Sequence, residues 1–128
     1  MTIRTLILSF AVLALSTVNT FAAERFSYDQ KRFQTTIDAG GPVLVHVTAP
    51  WCGECRAQKP IVAALAQMPD FKNLTIFEVD YDMQKDALRP LKVHKQSTLI
   101  VFKDKKEVAR AVGITRRAAI EALIRKAL

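Results

Sequence analysis

Val43-Leu44-Val45-His46-Val47-Thr48-Ala49-Pro50-Trp51-Cys52-Gly53-Glu54-Cys55 is the stretch on which the fold turns. Its first five residues form a near-continuous β-favouring run, the pattern of a central strand covered on both faces. Thr48-Ala49-Pro50 turns the chain. From Gly53 to about Met68 the apolar spacing is helical, with Ile61, Ala64, Leu65 and Met68 on one face and Pro60 interrupting the hydrogen-bond ladder. A buried strand therefore feeds a helix, and two cysteines straddle the junction. One helical turn brings both sulfurs to the same side, within disulfide reach. Cys52 falls at the helix N-terminus, where unpaired N–H groups and the dipole favour a thiolate. Cys55, one turn deeper, is shielded and suited to resolve a mixed disulfide.

Upstream, a helical pattern runs from Ser27 to about Ala39, with Ser27 as its cap, Gln30 completing a capping box and Phe26 as a staple. Gly40-Gly41-Pro42 stops it. Downstream, Leu74 to Asp80 reads as a strand, and Asp86 to Lys92 as a short helix disturbed by Pro90. Thr98 to Phe102 is another buried-looking strand, and a turn at Asp104-Lys105 leads into Glu107 to Val112, which alternates and so has one wet face. After Gly113, Thr115 caps a last amphipathic helix with Ala119, Ile120, Leu123 and Ile124 inward. This order predicts an α/β fold: a mixed central sheet of about four strands flanked by helices on both faces. The first strands join as a parallel, right-handed βαβ unit and the last two as a hairpin. No internal repeat or low-complexity tract interrupts it.

The 128 residues, 50% of them hydrophobic, suit one compact domain with an apolar core. Arg4 is the only charge before Glu24, and an apolar run follows it from Thr5 to Val18. Small residues near Ala22 complete the pattern of a secretory signal peptide over residues 1–22, with the domain over 23–128. Cleavage after Ala22 sets Thr20 and Ala22 at the two selective positions. The apolar run is shorter than the roughly 20 residues of a spanning helix. Export places the protein in the periplasm if the source is Gram-negative. The formal charge is +7, but the basic residues are scattered. Their densest cluster, Lys103-Asp104-Lys105-Lys106, is broken by an acid and has no interleaved aromatics, which argues for a solvated turn and against nucleic acid. Only two cysteines occur, and a bridge across two intervening residues staples little, so the pair is expected to serve reactivity.

Trp51-Cys52-Gly53-Glu54-Cys55 resembles the thioredoxin active site, with Glu54 where that family often has proline. Pro60 falls where thioredoxins carry a helix-kinking proline, and Thr98 to Lys103, the hairpin, Val112-Gly113 and the final helix follow the family's layout. The resemblance covers nearly all of residues 23–128. It implies the thioredoxin fold, a Cys52 nucleophile, a Cys55 resolving thiol and client proteins bearing thiols or disulfides. It requires no cofactor or resident metal. A monomeric exported reductant would draw electrons from a membrane donor; an exported oxidase or isomerase is the alternative.

Three positions depart from the family. Ser97 stands where thioredoxins have a cis-proline that docks substrate: either a strained cis Gln96–Ser97 bond is retained, as the otherwise intact pattern favours, or the loop is remodelled. The hydroxyl would alter docking and leave room for a metal that proline would block. His46 stands where thioredoxins bury an aspartate behind the resolving cysteine. It reads either as a proton relay for Cys55 or as a core histidine satisfied by a backbone carbonyl. Glu54 places a negative charge between the sulfurs, which disfavours the Cys52 thiolate and so makes the pair a more reducing site. Its plainer reading is a helix-start acid complementing the dipole. Trp51 is expected to flank the sulfurs and shape the contact surface, or simply to pack. Two rival readings remain: a zinc module using Cys52, Cys55, His46 and His94, whose spacing follows no zinc-finger pattern, and a non-catalytic binding module on a thioredoxin scaffold.

Overall fold

The computed structural model describes residues 22–128, so apart from Ala22 the signal-peptide reading lies outside the described residues. Five strands form one sheet in the order β1-β3-β2-β4-β5. Their ranges are β1 Glu24–Ser27, β2 Val43–Thr48, β3 Thr75–Asp80, β4 Thr98–Lys103 and β5 Lys106–Val112. The helices are α1 Gln30–Asp38, α2 Gly53–Ala66, α3 Lys85–Leu88 and α4 Arg117–Arg125. β3 lies parallel to β1 and β2, whereas β4 is antiparallel to β2 and β5 antiparallel to β4. This is the expected mixed α/β sheet with one strand more than the sequence suggested.

The extra strand is β1. Of its four residues only Phe26 turns inward, where its ring lies 6.0 Å from that of Phe77. Because β1 takes Ser27 in extended form, the capping box expected there does not form. Asp29 caps α1 instead, its carboxylate accepting from the Arg32 N–H at 2.7 Å. Gly40, at φ 81, ends that helix in the left-handed conformation.

All six residues of β2 are buried, as befits the strand at the sheet's centre. Val43, Val45 and Val47 face a layer built from Phe33, Ile37, Phe77, Leu88 and Val93. Leu44 faces the opposite layer, with Val62, Leu65, Phe71, Ile120 and Ile124 beneath α2 and α4. Fully burying each such side chain contributes about 1.5–3 kcal/mol. Two details differ from the sequence reading of the helices. On α2 the buried set is Cys55, Gln58, Val62, Leu65 and Ala66, while Ala64 is exposed. α4 begins at Arg117 with Arg116 at its cap position and no side-chain cap bond, so Thr115 does not serve. Ile120, Leu123 and Ile124 point inward as expected, with Ala119 half-buried. The short helix is confined to Lys85–Leu88, ahead of Pro90.

Candidate active site

β2 delivers the chain through Ala49-Pro50-Trp51 to the start of α2, and Cys52 is the residue that caps that helix. Its sulfur accepts from the Cys55 backbone N–H at 3.1 Å. The two cysteines are joined as a disulfide with their Cα atoms 5.2 Å apart. Cys55 is fully buried and Cys52 is 3% exposed, so the pair meets solvent only through Cys52. Trp51, the residue before Cys52, is 58% exposed, its indole N–H donating to Asp82 at 2.7 Å. It is therefore not a packed core residue.

Ser97 lies on the loop entering β4 and is buried. The described residues contain no cis peptide, so the Gln96–Ser97 bond is trans: the favoured cis form is not adopted, and the loop is remodelled instead. A cis bond before serine costs about 3 kcal/mol. The chain instead turns by placing Ser97 at φ 60, a left-handed conformation costing of the order of 1–3 kcal/mol for a residue with a side chain. Four hydrogen bonds hold it there. Its N–H donates to Val47 O at 2.9 Å, and its carbonyl accepts from Gly113 N at 3.1 Å and from Gln58 Nε2 at 3.1 Å. Its hydroxyl donates to Glu54 at 2.7 Å. Val47 O also lies 3.9 Å from Cys55 Sγ, so one carbonyl touches both the Ser97 loop and the inner sulfur.

Glu54 is thus more than a helix-start acid in water. Its half-buried carboxylate reaches from α2 to Ser97 and lies over Gly113, where an added Cβ would meet the carboxylate atoms at 3.1–3.3 Å. Gly113 also has φ 74, so both its backbone and the Glu54 carboxylate require a residue without a side chain. Gly53 completes the turn between the sulfurs with open space around it apart from the Arg56 guanidinium.

His46 is buried at the middle of β2, on the face towards α2. Its partner is a side chain, not the backbone carbonyl of the simpler expectation: Nε2 lies 3.0 Å from Gln58 Oε1. Burial holds the imidazole below its ordinary pKa; the bond to Gln58 and the charge of Glu78 oppose that shift, while Lys59 and Arg25 add to it. Glu78 pairs with His46 in register across β2 and β3, and it contacts Lys59 at 3.4 Å, Arg25 at 3.7 Å and the Thr48 hydroxyl at 3.5 Å. Those charges border an open cavity of about 510 Å³ beside β1 and β3, whose lining also includes Thr48 and Pro50. His94 is exposed on the loop before β4. Among the described residues, no three His, Cys, Asp or Glu side chains converge as a metal-binding group, so the four ligands of the zinc reading are not brought together. Gln58 escaped the sequence reading, although its spacing of three from Cys55 on the inward stripe of α2 marks a polar side chain aimed at the core.

The chain matches the thioredoxin family over residues 24–126. It is 36% identical to thioredoxin Asp f 29 of Aspergillus fumigatus over 98 residues, covering 76% of this chain and 88% of that one. It is 38% identical to a thioredoxin of Chlamydia trachomatis serovar D over 97 residues, covering 76% and 92%. Among solved structures it superposes on Trxlp from Edwardsiella tarda EIB202 with a TM-score of 0.76 and 36% identity, covering 78% of this chain and 98% of that one. A cysteine pair closed as a disulfide at a helix N-terminus, within this sheet and among these relatives, makes the chain a member of the thioredoxin family and a thiol–disulfide oxidoreductase acting on protein thiols and disulfides.

Proposed function

We propose that the protein is an exported reductant in which Cys52 attacks a client disulfide and Cys55 resolves the product. The observation that carries this reading is the asymmetry of the pair: Cys52 caps α2 at the solvent edge, while Cys55 is sealed one turn below. The Cys55 N–H already bonded to Cys52 Sγ is a donor aimed where a thiolate would form. The Cys52 thiolate breaks the client S–S bond, forming a mixed disulfide and releasing one client thiolate. The Cys55 thiolate then attacks Cys52 Sγ and releases the second, so two electrons pass to the client and the chain closes its own disulfide. His46, buried beside α2 and neutral by preference, takes the proton that Cys55 must lose. Trp51, Gly53 and Glu54 shape the surface on which the client lies, with buried Ser97 holding Glu54 from beneath.

The exported setting rests on the leader pattern of residues 1–22, with removal after Ala22. Ala23 is already within the fold, buried and bonded through its N–H to Ala66 O at 2.7 Å, so that cut leaves β1 whole. Reducing equivalents would come from a membrane donor, and the protein would act as a monomer.

Insulin reduction tests the chemistry: Cys52→Ser is expected to fall to the uncatalysed rate, and a rate equal to wild type overturns the role of Cys52. Equilibration with glutathione tests the direction. A potential near about −270 mV, as for a thioredoxin, supports a reductant, and one near about −120 mV overturns it in favour of an oxidase.

A further inference from the structure

We propose that Gln58 is a positioning residue: it fixes which nitrogen of His46 is the base, and it holds the Ser97 loop still while that base gains and loses its proton. The kinetic consequence rests on the oxidoreductase reading above; the placement of the proton does not.

Gln58 is fully buried on α2, three residues beyond Cys55. Its amide nitrogen lies 3.1 Å from Ser97 O and 2.9 Å from Ile114 O. Both partners are backbone carbonyls, which only accept. The NH2 group must therefore face them, both its hydrogens are used, and the amide cannot be turned over. Its oxygen is then left facing His46 Nε2 at 3.0 Å. An amide oxygen also only accepts, so His46 Nε2 carries a hydrogen. Burial keeps the ring neutral, and a neutral ring with its hydrogen on Nε2 has its lone pair on Nδ1. Any proton that His46 receives is received at Nδ1.

The second consequence follows from the first. Proton uptake at Nδ1 leaves the Nε2–H donor in place, so the bond to Gln58 survives in both protonation states. The two bonds from Gln58 to Ser97 O and Ile114 O survive with it. The opposite tautomer would present a lone pair to the Gln58 oxygen, and the network would have to rebuild at each proton transfer. The charges facing the ring do not change this. Glu78 pairs with it across β2 and β3, Lys59 comes from α2 and Arg25 from β1, and all three act on how readily Nδ1 is protonated, not on which nitrogen donates to Gln58.

The decisive measurement uses the wild-type protein. The ring 15N shifts of His46 at neutral pH are expected to show a protonated Nε2 and an unprotonated Nδ1, and the reverse pattern overturns the proposal. Gln58→Met, which keeps the bulk and removes the polar atoms, supplies the kinetic arm. Mixed with an aromatic disulfide such as 5,5′-dithiobis(2-nitrobenzoate), reduced protein releases one aromatic thiolate when Cys52 attacks and the second when Cys55 resolves. The second release is expected to slow about tenfold, the size of the lost bond to His46, and the first by less than about twofold. Equal slowing of both, or no change in the His46 shifts, refutes a positioning role. If the wild-type shifts are as expected but Cys52→Ser reduces insulin like wild type, the proposed function fails and the placement of the proton stands. If the shifts are reversed in a fully active protein, this inference falls alone.

Discussion

The two faces of β2 carry opposite chemistry although they alternate along six residues. Val43, Val45 and Val47 look into a layer of aromatic and aliphatic side chains, with the rings of Phe33 and Phe77 packed edge-on at 5.6 Å. Leu44, His46 and Thr48 look towards α2, and along them polarity rises towards the disulfide. Leu44 is still in an apolar layer, His46 is bonded to Gln58, and Thr48 donates to Glu78. The first face needs only shape and volume. The second buries polar groups, each of which would cost about 1–3 kcal/mol if left unpaired, and every one of their buried side-chain nitrogens and oxygens among the described residues has a partner. The comparison teaches that the fold is anchored on one side of the strand and its chemistry is set up on the other.

The sharpest way to break that division is on the dry side. Phe77→Ala is expected to lower stability by about 3–5 kcal/mol, measured by urea unfolding. The folded fraction should reduce insulin at the wild-type rate with unchanged His46 ring shifts. A shift at His46 would mean that the two faces are not independent. On the polar side the effect is smaller and depends on pH. Because burial lowers the His46 pKa, the unfolded chain takes up the proton first as pH falls. The stability due to the neutral ring is therefore full above about pH 6.5, the unfolded value, and is lost as pH drops through the lower native value. Unfolding of wild type and His46→Leu at pH 7.5 and pH 5 measures this. The variant loses about 1–3 kcal/mol at pH 7.5, because Gln58 Oε1 loses its donor, and loses less than wild type on going to pH 5. Parallel losses in the two proteins would show that His46 does not titrate against folding.

The same division explains what could be read from the chain alone. β2, β3, β4 and the hairpin are legible because a run of buried residues, or a strict alternation, is a one-dimensional signal. β1 is not: only Phe26 is turned inward, and its strand form comes from pairing with β3, some fifty residues away. The cysteines, His46, Glu54 and Ser97 stand out singly. What joins them does not, since the Glu54–Ser97 bond spans 43 residues and those from Gln58 to Ser97 and Ile114 span 39 and 56. The trans Gln96–Ser97 bond belongs to the same class. Family pattern pointed to cis, but the four hydrogen bonds that stabilise a positive φ at Ser97 exist only in the folded molecule.

Where the polar side reaches the surface, it leans on Gly113. Gly113→Ala forces a side chain into a positive φ and against the Glu54 carboxylate, and is expected to cost about 1–3 kcal/mol in urea unfolding. It is also expected to displace Glu54 from Ser97, visible as a change in the Glu54 side-chain carboxyl 13C shift. A loss of stability with an unmoved carboxylate would mean that backbone strain alone makes the glycine necessary.

The smallest expected effect separates the shape of Glu54 from its charge. Glu54→Gln keeps an oxygen to accept the Ser97 hydroxyl, so stability is expected to change by no more than about 0.5 kcal/mol. The substitution removes a negative charge near the sulfurs. That favours the Cys52 thiolate, and with it the dithiol, so the pair becomes slightly more oxidising. The shift in glutathione equilibration is expected to be below about 30 mV, because the half-exposed charge is screened by water. Ser97→Ala is the companion variant: it leaves the charge but frees the carboxylate. If Glu54 acts through its charge, Glu54→Gln moves the potential and Ser97→Ala moves it less. If the contact with Ser97 matters more, the order reverses, and the acid between the cysteines is a strut for the docking loop, continuous with the buried network behind it.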